Sequence, residues 1–145
     1  MKHLALAAAL ALPTATHAAP LCTDFGFAGL LAKCNIGEDI ELTLASGEPI
    51  SDGPITLESG AYYEMIITAD GSAELALEGA GFFRAIWMDE IVINEIEVRP
   101  MAIDSIEFDA AGELELGFVA IKPGRYELAI PGARGDSQRV QITIR

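Results

Sequence analysis

The chain carries two cysteines, two histidines and 22 acidic side chains among its 145 residues, and their positions decide which chemistries are open to it. Cys22 and Cys34 stand much further apart than the Cys-x-x-Cys spacing of redox-active pairs. An isolated pair at this distance is expected as a structural disulfide of an oxidising compartment, worth about 3 kcal/mol on the chain-entropy account. His3 and His17 both fall in a segment that reads as a secretory signal peptide. Lys2 and His3 form its basic tip, Leu4 to Leu12 is made only of Leu and Ala, and small residues stand at Thr16 and Ala18. The apolar run is too short to span a bilayer, which takes about 20 residues. Cleavage is expected after Ala18, with Ala19 as the alternative. The exported chain then has no histidine, and eight basic side chains face 22 acidic ones, a formal charge of -14 instead of -13.

Losing the histidines removes the ordinary catalytic base of Ser-His-Asp and Cys-His arrangements. Lys33 and Lys122 lack a Ser-x-x-Lys context; a carboxylate pair among the 22 acids remains an alternative that would need a concave pocket with two acids, but the sequence offers no obvious cleft, so the expectation is no enzyme and no catalytic residue. Zinc and iron lack imidazole and thiolate ligands. No Asp-x-Asp-x-Asp-Gly loop is present, and Asp104 to Glu113 offers only a weak calcium loop. Soft thioethers alone can hold Cu(I), which leaves Met65, Met88 and Met101 as an alternative metal set, against their reading as core filler. Otherwise no metal or cofactor is expected. Arg134-Gly135-Asp136 reads as a turn, and no glycine group is followed by the Gly-Lys-Ser/Thr of a phosphate loop. The acidity argues against nucleic acid and against an anionic membrane surface. After the leader no segment is long and apolar enough for a membrane span.

These residues must be positioned by strands. Ile40, Leu42 and Leu44 alternate with Glu41 and Thr43, the mark of a half-buried strand. Ile55/Leu57, Tyr63/Met65/Ile67, Leu75/Leu77, Ile91/Ile93, Ile96/Val98, Ile106/Phe108, Leu114/Leu116/Phe118, Tyr126/Leu128/Ile130 and Val140/Ile142/Ile144 repeat the pattern. The phase changes at Asn94-Glu95, which predicts a bend or bulge, and Asp70-Gly71 reads as a tight hairpin turn. About seven to nine short strands, with turn signals roughly every ten residues, predict an all-β sandwich or barrel. Phe82, Phe83, Arg84 and Trp87 lie in the densest aromatic stretch. Read as a strand, it carries large apolar groups on both faces, so it is either buried on both sides or exposes a partner-binding patch.

The segment Lys122-Pro123-Gly124-Arg125-Tyr126-Glu127-Leu128-Ala129-Ile130-Pro131-Gly132, with its following loop and Val140 to Ile144, resembles the end of a cupredoxin. Those blue-copper sandwiches close on Pro-Gly-x-Tyr-x-Phe-x-Cys, a ligand loop and a short last strand. Gly53-Pro54-Ile55-Thr56-Leu57-Glu58-Ser59-Gly60, running on to Thr68, resembles their Pro-x-x-Ile-x-Val-x-x-Gly strand pair. The resemblance covers Asp52 to Arg145 and implies a Greek-key β-sandwich. The family holds copper with a Cys, two His and usually a Met, and these positions fall on Ile130, Ala133, Ala73 and Gln138. The resemblance therefore implies a cupredoxin-like domain without its usual copper ligands. Three parts are expected: the leader over 1–18, a disulfide-tied segment over 19–36 and the sandwich over 37–145. The expected role is that of a non-catalytic periplasmic or secreted accessory factor that binds another exported protein, with a basic partner favoured by the charge. The alternative is Cu(I) handling through the methionines.

Overall fold

A computed structural model describes residues 20–145. The expected leader lies outside them. The described chain forms ten strands: β1 (Ile40–Leu44), β2 (Ile55–Leu57), β3 (Tyr62–Ala69), β4 (Leu75–Glu78), β5 (Ile86–Ile93), β6 (Ile96–Val98), β7 (Ser105–Phe108), β8 (Gly112–Ala120), β9 (Gly124–Ala129) and β10 (Arg139–Ile144). They divide into two five-stranded sheets, in the orders β1-β3-β8-β5-β6 and β2-β10-β9-β4-β7. The architecture is the expected β-sandwich.

The alternation in the sequence sets what lies between the sheets. Leu42, Leu44, Met65, Ile67, Leu116 and Phe118 from the first sheet meet Leu57, Leu77, Leu128, Ile142 and Ile144 from the second, all buried. Each such side chain contributes about 1.5–3 kcal/mol on leaving water. A one-residue slip of β3 against β8 would expose Tyr63, Met65 and Ile67 and drive Glu64 inward, so burial fixes the observed register of Met65 opposite Leu116.

Only β5–β6 and β9–β10 are consecutive strands that pair with each other. The β5–β6 turn is the predicted phase change: Asn94 and Glu95 take φ values of 50° and 63°, the double left-handed geometry of a tight hairpin. Every other connection crosses from one sheet to the other. Asp70-Gly71 is accordingly a crossover between β3 and β4 and not a hairpin turn. Asp70 serves it by accepting the Ser72 N–H at 2.8 Å, and Gly71, at φ 75°, passes against the Ala111 backbone. Two pairings are parallel, β1 with β3 and β2 with β10.

The aromatic stretch needs a correction. Phe82 and Phe83 sit in a helical turn, α1 (Ala80–Phe83), and not on a strand. A helical turn aims neighbouring side chains about 100° apart instead of alternating them, so both rings enter the core. Phe82 lies edge-on to Phe118 with ring centroids 5.6 Å apart, and its centroid is 6.4 Å from that of Tyr126. It bridges the two sheets.

Residues 20–36 pack across one end of the sandwich. Two short 3-10 turns, Gly26–Leu31 and Lys33–Asn35, are tied by the Cys22–Cys34 disulfide, as expected. Asn35 holds the segment in place and is fully buried. Its Oδ1 accepts the Leu21 N–H at 3.0 Å, and its Nδ2 donates to Leu30 O and Gly60 O, both at 2.8 Å. A buried amide is tolerated when its polar atoms find partners in this way.

Candidate functional site

Four positions were singled out by the resemblance. β9 ends at Ala129, and Ile130 opens the loop to β10. Ile130 N–H donates to Gln138 O, and Ala133 N–H donates to Ile130 O, both at 3.1 Å. The short turn Asp136–Gln138 then leads into β10, and Ile50 N–H donates to Ser137 O at 2.9 Å. β4 runs antiparallel to β9 with Glu78 opposite Ala129, so Ala73, ahead of β4, lies past the end of β9 on the side of this loop. The fold thus brings all four positions to one end of the sandwich. Their side chains are one isoleucine, two alanines and one glutamine, and both cysteines are in the disulfide. A blue-copper centre requires a thiolate and imidazoles. The residues at this end do not fit that group.

The three methionines are not brought together. Met65 and Met88 are both buried in the first sheet, on β3 and β5, with β8 running between those strands. They flank Leu116 and Phe118 as packing residues. Met101 is fully exposed in the segment between β6 and β7.

The aromatic patch is reduced by the burial of Phe82 and Phe83. Arg84 remains at the surface, 3.6 Å from Asp104, and Trp87 is 49% exposed on β5. Trp87 stands opposite Val119, which stands opposite Tyr62, so the three form a row across the outer face of the first sheet. Along the Asp104 to Glu113 stretch, Glu107 and Asp109 meet Glu74 with carboxylate oxygens within 4.8 Å of one another, all exposed.

That outer face is acidic. Glu64 opposes Gly117, as does Glu90, while Ile66 lies between Glu41 and Glu115. Burial pushes the Glu64 carboxyl above the usual range, and the charges of Asp39, Glu115 and Glu90 add to the shift. The phenol of Tyr62 lies over Gly117, where any Cβ would collide with it. Its pKa is pushed up to about 12, first by burial and then by Asp89, Glu90 and Glu64. A bulge between Met88 and Glu90 turns Asp89 toward Arg99. Arg99 gathers Asp89 at 3.0 Å, Glu90 at 2.9 Å and Glu97 at 3.3 Å.

One concavity was not legible in the sequence. A groove of about 920 Å³ runs along the open side of the sandwich, between the edge strands β1 and β2. Its floor is Ile40, Ile55, Leu57 and Tyr63, and Leu21 and Ile36 stand at the end nearest the disulfide-tied segment. Its rim carries Glu38, Asp39, Glu41 and Asp52, and no lysine or arginine among the described residues lines it. The sequence signal was split between two distant strands and a loop, so nothing local announced it. Tyr63 fixes the floor, since the Glu58 N–H donates to its Oη at 2.9 Å and its ring fills the space a side chain at Gly37 would need.

No family model matches the chain, and no curated protein matches it in sequence. Solved structures do match in fold. The blue copper oxidase from Nitrosomonas europaea aligns with a TM-score of 0.56 at 12% identity, covering 75% of this chain and 44% of that one. Lac15 from a marine microbial metagenome aligns with a TM-score of 0.52 at 18% identity, over 74% of this chain and 26% of that one. A multicopper oxidase from Campylobacter jejuni gives 0.50 at 8% identity, over 75% and 30%. The chain therefore spans less than half the length of these structures. The likeness establishes a cupredoxin-type fold, in agreement with the strand order and the crossing connections. No helix among the described residues is long and apolar enough to cross a membrane.

Proposed function

We propose that this cupredoxin-type sandwich is an exported, non-catalytic domain that acts by binding another protein with a basic surface. One observation carries the reading. At the end of the sandwich where the fold family places its metal, Ile130, Ala133, Gln138 and Ala73 supply neither thiolate nor imidazole, while the surface bears a large excess of carboxylates. A fold retained without the donor set of its usual chemistry is left with its surface as the functional part, and here that surface is negative. Export is supported by the leader pattern over residues 1–18 and by the Cys22–Cys34 disulfide, since such bonds persist in oxidising compartments.

The reading is tested with the tagged chain purified from the periplasm of an expressing bacterium. Its metal content should be well below one copper per chain. Capture from periplasmic extract at low salt should retain a basic protein that elutes as salt rises, because exposed charges are screened within about 10 Å at 0.1 M. Stoichiometric copper, or capture of nothing at low salt, would overturn the proposal.

A further inference from the structure

We infer that the groove between β1 and β2 receives an extended segment of the partner as an added strand, in which basic residues alternate with apolar ones. The inference rests on the protein-binding reading above and names the site and the chemistry of the segment.

The backbone of β1 is the first ground. Among the described residues β1 is the edge of its sheet and pairs only with β3. On its other side Thr43 N–H donates to Ile50 O at 2.8 Å. Backbone groups of alternate residues in a strand point the same way, so Glu41 also directs its N–H and C=O groups outward, into the groove. Facing them is the edge of the other sheet. Leu57 O accepts the Arg145 N–H at 2.9 Å and so points toward β10, which turns Thr56 toward the groove. An edge with free backbone groups is a template for strand addition. The open length is short and bounded: the turn after β1 closes it at Thr43, and Gly37 N–H is committed to Tyr62 O at 2.8 Å at the other end.

Side-chain chemistry is the second ground, and it specifies the occupant. Ile40 and Leu42 point into the sandwich, whereas Asp39, Glu41 and Thr43 point to the outer face. A strand added to β1 continues the same alternation. Its inward residues lie on an apolar floor, half-buried Ile55 beside the already buried Ile40, Leu57 and Tyr63, which calls for apolar side chains. Its outward residues fall beside Asp39 and Glu41, with Glu64 beyond, which calls for lysine or arginine. With four carboxylates and no cation on the rim among the described residues, an acidic segment is repelled.

The experiment uses the purified 15N-labelled chain and a synthetic decapeptide of alternating lysine and valine. An isomer of the same composition, with the lysines and valines in two blocks, is the control. The alternating peptide should shift amide signals confined to Glu38–Leu42 and Ser51–Leu57 and slow hydrogen exchange at Glu41. The block isomer should bind at least about tenfold more weakly. D39K/E41K should weaken the alternating peptide by about tenfold or more, whereas E113K/E115K, the same charge change elsewhere on the outer face, should change it less than about twofold. Glu41→Pro removes one outward N–H while leaving the ladder to β3 intact, and it should abolish the protected register; a melting curve checks that it folds. Equal weakening by the two double variants, or shifts centred on Glu64, Glu113 and Glu115, would overturn the groove assignment while protein binding still stands. Concentration-dependent shifts at Asp39–Leu42 without peptide would overturn it in favour of a second copy of the chain. Failure of the protein-binding reading itself is seen separately, in the periplasmic capture.

Discussion

Replacing Asn35 by alanine removes three hydrogen bonds at once from a fully buried position. Each neutral bond contributes about 0.5–1.5 kcal/mol net, and the deserted Leu21 N–H, Leu30 O and Gly60 O must find water or go without. The expected cost is about 3 kcal/mol. For a chain of this size each kcal/mol lowers Tm by about 3–4 °C, so the melt should move down by about 10 °C. The segment can also release locally before the sandwich melts, so the assay pairs a thermal melt with hydrogen exchange at single amides. Leu21 and Gly37 should lose protection first, ahead of the amides of β3 and β8. Asn35→Asp separates the roles of the two side-chain atoms. It keeps an acceptor for Leu21 but turns a carboxylate toward two carbonyl oxygens, so at pH 7 it should be less stable than Asn35→Ala. An alanine variant that melts within about 2 °C of the parent, with the Leu21 amide still protected, would refute the idea that this amide clamps the segment.

Four other outcomes are expected. Gly117→Ala should cost about 1–3 kcal/mol in a urea melt, because the new methyl meets the Tyr62 phenol in a packed site. Glu64→Gln should raise Tm at pH 7: the raised carboxyl pKa means that its charged form opposes folding, so the parent recovers that loss as pH falls through the raised value, and the two proteins should melt alike only below the ordinary value of 4.5. In an alkaline absorbance titration Tyr62 should ionise only near pH 12; because the unfolded phenol ionises near 10, stability should fall as pH rises from 10 to 12, and an intact fold with Tyr62 ionised at pH 10 would contradict its burial. In competition with a Cu(I) chelator the purified chain should take up no copper, and uptake lost in a triple Met65, Met88 and Met101 variant would show that the separated methionines act after all.

Strands were legible wherever one face is wet and the other dry. Ile40 to Leu44 and Leu114 to Phe118 spell their burial by alternation, and the phase change at Asn94-Glu95 marks a real hairpin. Phe82 and Phe83 misled because a run of large apolar residues lacks a period; only the contacts with Phe118 and Tyr126 decide its shape. Partner strands were not legible, since Ile55 pairing with Ile142 depends on residues far apart in sequence. The resemblance to cupredoxins placed Ile130, Ala133, Gln138 and Ala73 at the end where the fold assembles them. The groove stayed hidden for the reason the pairings did: its two walls belong to different sheets.

The pairing of β2 with β10 constrains the order in which the molecule can form. Glu58, just past β2, meets Arg145 across a separation of 87 residues, and the Ser59 and Arg145 amides lock the same junction. β2 thus waits for β10, and the second sheet cannot take up β2 until Arg139–Ile144 is in place beside it. Contacts this distant close slowly because loop entropy must be overcome first. Joining β2 to β10 is therefore expected among the late, slow steps in forming the sandwich, after the local β9–β10 hairpin.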